Sequence, residues 1–168
     1  MSIHIAGHPP DERIFASWDR VSPRYFETIG TRLLRGRVIS DEDTPTSRQV
    51  AVIYETFARK FFVKEDPIGK HFGMGDAKNS GDYEIVSIVQ DTKYQDARQP
   101  AYATFFVPLL QQSRDPKLSW LVYSQYVGDI ELEVAGKPEN LEAEVRHTLA
   151  DIDPNLTVLR MMSLNEQL

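Results

Sequence analysis

The sequence predicts an α+β domain, and three observations lead there. Two apolar runs, "QVAVIY" and "YEIVSIVQD", have the composition and length of buried strands. Between them, "ETFARKFF" places Phe57, Ala58, Phe61 and Phe62 on one helical face. Near the carboxy terminus the alternating "DIELEV" is followed by the helix-periodic "PENLEAEVRHTLADI" and then by "NLTVLRM", a β-α-β order.

Taken in order, "SIHIAG" alternates around Ile3 and Ile5 and reads as a short strand, which "HPPDE" breaks. In "VSPRYFETIGTRLLRGR", Val21 to Arg37, Ser22 suits a helix cap and Pro23 the first helical position. Phe26, Ile29 and Leu33 share a helical spacing, but Gly30 reads as a left-handed stop, so a short helix to about Ile29 and an extended "TRLLRGR" are expected. "DEDTPTSR" is a polar linker and "KEDPIGK" a turn. A hairpin from about Lys70 to Val89 accommodates the glycine-rich "HFGMGDAKNSGD" as its loop. "TKYQDARQP" connects to a strand in "YATFFVPL", and "LSWLVYSQY" is aromatic and extended. In "DIELEV", Ile130, Leu132 and Val134 fall on one face and Glu131 and Glu133 on the other. The last helix starts near Pro138, carries Leu141, Val145, Leu149 and Ile152 as its apolar stripe, and stops at Asp153-Pro154.

Bulk composition narrows the functional classes. The 168 residues suffice for one domain or two small lobes. With 25 acidic against 19 basic residues the net charge is -6, which disfavours non-specific nucleic-acid binding. The absence of cysteine excludes disulfides, thiolate metal sites and thiol catalysis. The longest strongly apolar stretch, "YATFFVPLL", has nine residues and a proline, where a membrane helix needs about 20. "MSIHIAGHPPDER" lacks the basic start and apolar core of a signal peptide, so the chain as written reads as soluble and without an export signal.

No residue stands out as catalytic, cofactor-binding or metal-binding. "GMGDAKNSGD" lacks the spacing of a phosphate loop and the closing glutamate of a calcium loop, and hairpin turn chemistry accounts for it. Asp41-Glu42-Asp43 is a carboxylate run whose members point in different directions, as in a solvated linker or a cap on a neighbouring element. His4, His8, His71 and His147 are scattered, and His147 lies on the polar side of the last helix. Arg35-Gly36-Arg37 is better explained as a bend with two exposed guanidinium groups than as an anion site.

The ordered series "VSPRYFETIGTRLLRGR", "DED", "VAVIYETFARKFF", "DPIGK", "YEIVSIVQD", "YATFFVP", "PENLEAEVR" and "IDPNLTV" resembles the extracytoplasmic domain of MacB-like ABC transporter permeases, especially their duplicated orphan relatives. The sequence departs from the family at Tyr54, where asparagine is usual, at Ser87, where glycine is common, and at Val134-Ala135-Gly136, where an arginine often ends the strand. The resemblance implies two lobes. A porter-like β-α-β lobe is formed by residues 1–44 and 114–168, and a smaller mixed lobe, called Sabre, is inserted as residues 45–113. Strands at Ser2–Ala6, Ile130–Val134 and Leu156–Leu159 are then expected in one lobe, with the last helix packed on them. The lobes would join at "DEDTPTSR" and "QQSRDPK", two exposed connections with few contacts across them. It also implies a membrane helix and a strand–helix segment before Ser2, and a second membrane helix beyond Leu168. The implied role is relay of ATP-driven motion, with no cofactor. The implied partners are a cytoplasmic ATPase and a second permease copy, joined through the membrane helices, together with a periplasmic adaptor or substrate. A competing reading is an extracytoplasmic ligand- or adaptor-binding module without a relay. An enzyme would need convergent titratable groups, which the spacing does not provide.

Overall fold

The computed structural model describes residues 1–9, 14–92, 101–112, 129–136, 139–163 and 166. Its centre is a mixed sheet built from strands β1 (Ser2–Ile5), β2 (Ile14–Phe15), β3 (Ser17–Val21), β4 (Leu33–Gly36), β5 (Val50–Tyr54), β6 (His71–Met74), β7 (Tyr83–Val89) and β8 (Thr104–Pro108). Among the described residues three α-helices accompany it: α1 (Tyr25–Thr28), α2 (Glu55–Phe61) and α3 (Leu141–Ile152). The strand order is β2-β1-β6-β7-β5-β8-β3, and β4 pairs with β7 off this path. The α+β class is therefore as expected.

β5 is the axis of the sheet. It runs parallel to β7 and antiparallel to β8, and all five of its residues are buried. A strand covered on both faces must be apolar throughout, which is why "VAVIY" is an unbroken run. Its side chains alternate between two cores. Ala51 and Ile53 join Phe57 of α2, Phe72, Tyr83, Ile85 and Phe105 on one face. Val52 and Tyr54 join Phe26 of α1, Val89 and Phe106 on the other. Phe57, Phe72 and Phe105 meet with ring centroids 4.9 to 6.1 Å apart, within the range where aromatic pairs add to simple burial.

α1 ends as the sequence suggests. Gly30 has φ +69, its N–H donates to the Glu27 carbonyl, and the Thr31 N–H donates to the Phe26 carbonyl at 2.8 Å, the paired bonds of a Schellman stop. Its start differs. The helix begins at Tyr25, after Arg24 in a left-handed conformation, and the Ser22 side chain makes no cap. Ser22 instead offers its carbonyl to the Tyr25 N–H. The β6–β7 hairpin also forms, with Phe72 opposite Tyr83. Its loop folds inward through the buried Asn79, whose Nδ2 donates to the Met74 carbonyl at 2.8 Å.

The expected strand neighbours are not the observed ones. β1 does not join the carboxy-terminal strands. It pairs antiparallel with β6, setting Ile3 opposite Met74 and Ile5 opposite Phe72. Strands from residues 1–44 and from 45–113 thus share one sheet, which runs across the boundary proposed at residue 44. Alternation in "SIHI" specifies a buried face, but it does not specify which strand supplies the partner. The apolar complement of β1 is the Phe72–Met74 face. Ile130–Val134 and Leu156–Leu159 are not strands, and Ile130, Leu132 and Val134 are exposed while Glu131 is half-buried. The alternation is present with its apolar side outward. α3 forms as predicted, and Leu141, Val145 and Leu149 are its only half-buried positions, with Ile152 exposed. "LSWLVYSQY" lies outside the described residues.

Gly36 shows how tightly β4 lies on β7. It has φ +82, and a Cβ there would sit 2.0 Å from the Val86 carbonyl oxygen, whereas a Cβ at Gly30 would meet nothing within 4 Å. Both residues adopt a backbone conformation that costs an ordinary L-residue about 1–2 kcal/mol. Gly30→Ala should lower unfolding free energy by about 1 kcal/mol, and Gly36→Ala by about 1–3 kcal/mol more through the added overlap. Urea unfolding of the two variants checks the order.

Candidate functional site

The two connections that the sequence marks as exposed and sparsely held, Asp41–Arg48 and the stretch beginning at Gln111, are bonded to each other. Gln111 is fully buried. Its Oε1 accepts the Val50 N–H at 3.0 Å. Its Nε2 has two hydrogens and three acceptors within reach: the Arg48 carbonyl at 2.9 Å, the Ser47 hydroxyl at 3.0 Å and the Thr44 carbonyl at 3.3 Å. One amide therefore satisfies donors and acceptors of a loop that has no ladder of its own. Gln49 returns the contact, its Nε2 donating to the Gln112 carbonyl. Residues beyond Gln112 in this second connection lie outside the described part.

Each connection is also fastened elsewhere. Arg20, on β3, is buried and donates from Nη1 to the Gln111 carbonyl at 2.6 Å and more weakly to the Leu109 carbonyl at 3.4 Å. Burial pulls its pKa down, with a small opposing effect from Tyr83, yet a guanidinium stays charged across the physiological range. Its Nε makes no hydrogen bond. On the other connection Arg37 grips Asp43 through two bonds, of 2.7 and 2.8 Å, and the Ser40 N–H donates to the same carboxylate at 2.9 Å. Burial alone pushes the Asp43 carboxyl up, but the bonds from Arg37 and Ser40 outweigh it and hold its pKa below the ordinary value. Of the three consecutive acids only Asp43 turns inward, and Asp41 and Glu42 stay exposed.

The other residues singled out in the sequence fall elsewhere. Arg35 pairs with Asp66 at 2.6 Å on the surface, so both arginines of the "RGR" bend bind carboxylates of the chain itself. His147 is exposed, 3.6 Å from Asp151 on α3. Tyr54 is buried, packs on Phe106 with centroids 4.9 Å apart and shares a hydrogen bond with Thr92. Ser87 is buried opposite Gly36. Among the described residues no group of three or more His, Asp or Glu side chains is placed to hold a metal ion. Gln111, the centre of the junction, went unmarked because a glutamine pair in a polar stretch reads as surface. Its one sequence signal is its recurrence with Gln49 at the other connection.

Residues 6–150 match the family described as the MacB-like periplasmic core domain, and the chain belongs to that family. It is therefore the periplasmic domain of a MacB-like ABC transporter permease and lies on the extracytoplasmic side. Among individual relatives, the macrolide export ATP-binding/permease protein MacB of Aggregatibacter actinomycetemcomitans is 28% identical over 71 residues, 42% of this chain and 10% of that protein. The chain thus spans about a tenth of the length of that relative. The periplasmic region of MacB from Actinobacillus actinomycetemcomitans has the same fold, with a TM-score of 0.59 and 16% identity over 90% of this chain and 62% of that one. The extracellular domain of the ABC-type transporter YknZ from Gram-positive bacteria follows, with a TM-score of 0.54 and 16% identity over 92% of this chain and 72% of that one. No helix among the described residues is long and apolar enough to cross a membrane.

Two consequences are measurable. Gln111→Leu keeps the volume but strands the Val50 N–H and the Arg48 carbonyl, so it should cost about 2–4 kcal/mol, while Gln112→Leu on the exposed neighbour should stay within about 0.5 kcal/mol. Chemical denaturation of both separates a buried tie from a linker residue. The second concerns acid. Because the folded Asp43 pKa is depressed, its contribution is complete above the unfolded value of about 3.9 and is lost as pH falls through the folded value. Asp43→Asn should therefore be less stable than the parent at neutral pH. The gap should close below about pH 4 in acid-denaturation curves.

Proposed function

We propose that this domain relays ATP-driven motion, the role called mechanotransmission, and that the junction around Gln111 is where motion passes into the sheet. The single observation that carries this reading is the bonding of the two connections to each other and to β3 through Arg20. A connection with no cross-contacts would let a displacement dissipate in loop motion. One held by a buried amide and a buried guanidinium transmits it to β3 and β5 together. In this reading the sheet is one body, and the chain after residue 113 belongs to a second.

By this reading the permease works with a cytoplasmic ATPase and a second permease copy, engaged through membrane helices, and its periplasmic side meets an adaptor or a substrate. The name of the MacB relative, which joins ATP binding to permease activity, supports that partnership. The domain itself has no assigned catalytic residue, cofactor or metal.

The 168 residues contain no native cysteine, so a thiol pair can be placed among them selectively. In the whole permease Gln111→Leu, which opens the junction, should uncouple transport from ATP hydrolysis, whereas a thiol cross-link between Gln49→Cys and Gln112→Cys, which holds it closed, should keep transport coupled. Full coupled transport by a folded Gln111→Leu permease would favour a binding module over a relay.

A further inference from the structure

β5 is fastened at both ends. Gln111 holds Val50 at its start, and the dipeptide Asp91-Thr92, where the chain leaves β7, holds its other end. The Thr92 hydroxyl lies 2.9 Å from the Tyr54 hydroxyl and 3.1 Å from that of Thr31, whose N–H closes α1. A hydroxyl suits this position because it donates to one neighbour while accepting from the other. Asp91 turns to α2. Its Oδ1 accepts the Thr56 N–H at 2.9 Å, and its Oδ2 accepts the Thr56 hydroxyl and, at 3.2 Å, the Arg59 Nη2. The Gln90 N–H donates to the Arg32 carbonyl at 2.9 Å and closes the same corner. α1 packs on one face of the sheet through Phe26 and α2 on the other through Phe57. Two consecutive residues therefore bind the segments on opposite faces and the end of the strand between them.

We propose that Thr92 is a positioning residue for transport. A displacement that enters β5 at Gln111 reaches α1 and α2 through the Asp91-Thr92 corner. The proposal rests on the relay reading and adds to it the end at which motion leaves the strand. β5 has five residues, so its ends lie about 13 Å apart, and pairing with β7 and β8 keeps it extended between them. Packed elements shift between discrete arrangements and do not deform smoothly. The corner therefore decides whether the two helices follow β5 or stay behind.

The measurement is transport per ATP hydrolysed in the whole permease. Thr92→Val keeps the shape of the side chain and removes the hydroxyl. It should lower that ratio about fivefold, the bias that one hydrogen bond of ordinary worth gives an equilibrium. Thr92→Ser keeps the hydroxyl and should stay at the parent level. The thiol cross-link between Gln49→Cys and Gln112→Cys separates positioning from simple loosening. In the 168-residue chain it should raise the urea midpoint of Thr92→Val. In the permease it should leave Thr92→Val uncoupled, because the break lies beyond the point that the link locks. Coupling restored by the cross-link would make Thr92 a structural residue and overturn the proposal. So would full coupling in a folded Thr92→Val permease when Gln111→Leu uncouples, an outcome that leaves the relay reading standing. Full coupling in both variants would remove the relay reading and this inference with it. If Thr92→Val fails to fold, Tyr54→Phe carries the same expectations, since it keeps the ring on Phe106 and drops the hydroxyl that meets Thr92.

Discussion

The side chain of Gln111 holds the geometry on which the rest depends. β5 is the central strand, and its first residue, Val50, has its N–H bonded to Gln111 rather than to a neighbouring strand. The loop that delivers the chain to β5 has its Thr44 and Arg48 carbonyls within reach of the same amide. A buried backbone group without a partner costs about as much as a lost hydrogen bond, so a loop entering a doubly covered sheet must find one. An amide is suited to this because it both donates and accepts at one position. Arg20 then secures the Gln111 carbonyl from β3. Three separated parts of the chain are thereby fixed with respect to one another.

Legibility from the sequence followed the strength of the local pattern. β5, α2, β7 and β8 were readable because burial on two faces leaves continuous apolar runs, and the stop of α1 was readable because Gly30 is the residue a left-handed position calls for. β3 was not readable. "SWDRV" mixes an exposed serine and aspartate with a buried arginine, since one of its charged side chains serves the junction. The partner of β1 was also hidden, because pairing between distant strands is decided by complementary faces and not by either strand alone. The clearest misreading was the sparseness of contacts across the two connections. Polar composition signals contact with water in most loops, but Gln49, Asp43 and Gln111 use their polarity to bond buried backbone and charge.

The carboxy-terminal segment teaches a complementary lesson. Its alternation and helical periodicity are as strong as any in the chain, yet Leu141, Val145 and Leu149 are only half-buried and Ile130 and Leu132 face outward. A pattern records which face is apolar, and the covering surface has to come from somewhere else.

Hydrogen exchange at the Val50 amide tests the central claim most directly. Among the described residues its acceptor is the Gln111 side chain from the other connection, so its protection reports whether the junction is closed in solution. If Gln111 ties the two connections, the Val50 amide exchanges as slowly as those of Val52 and Ile53 in the middle of the same strand, and it becomes fast in Gln111→Leu while Ile53 does not. Exchange of Val50 in the unaltered protein at the rate of the exposed loop amide of Thr46 would show that the connections move independently, and the junction would then hold nothing.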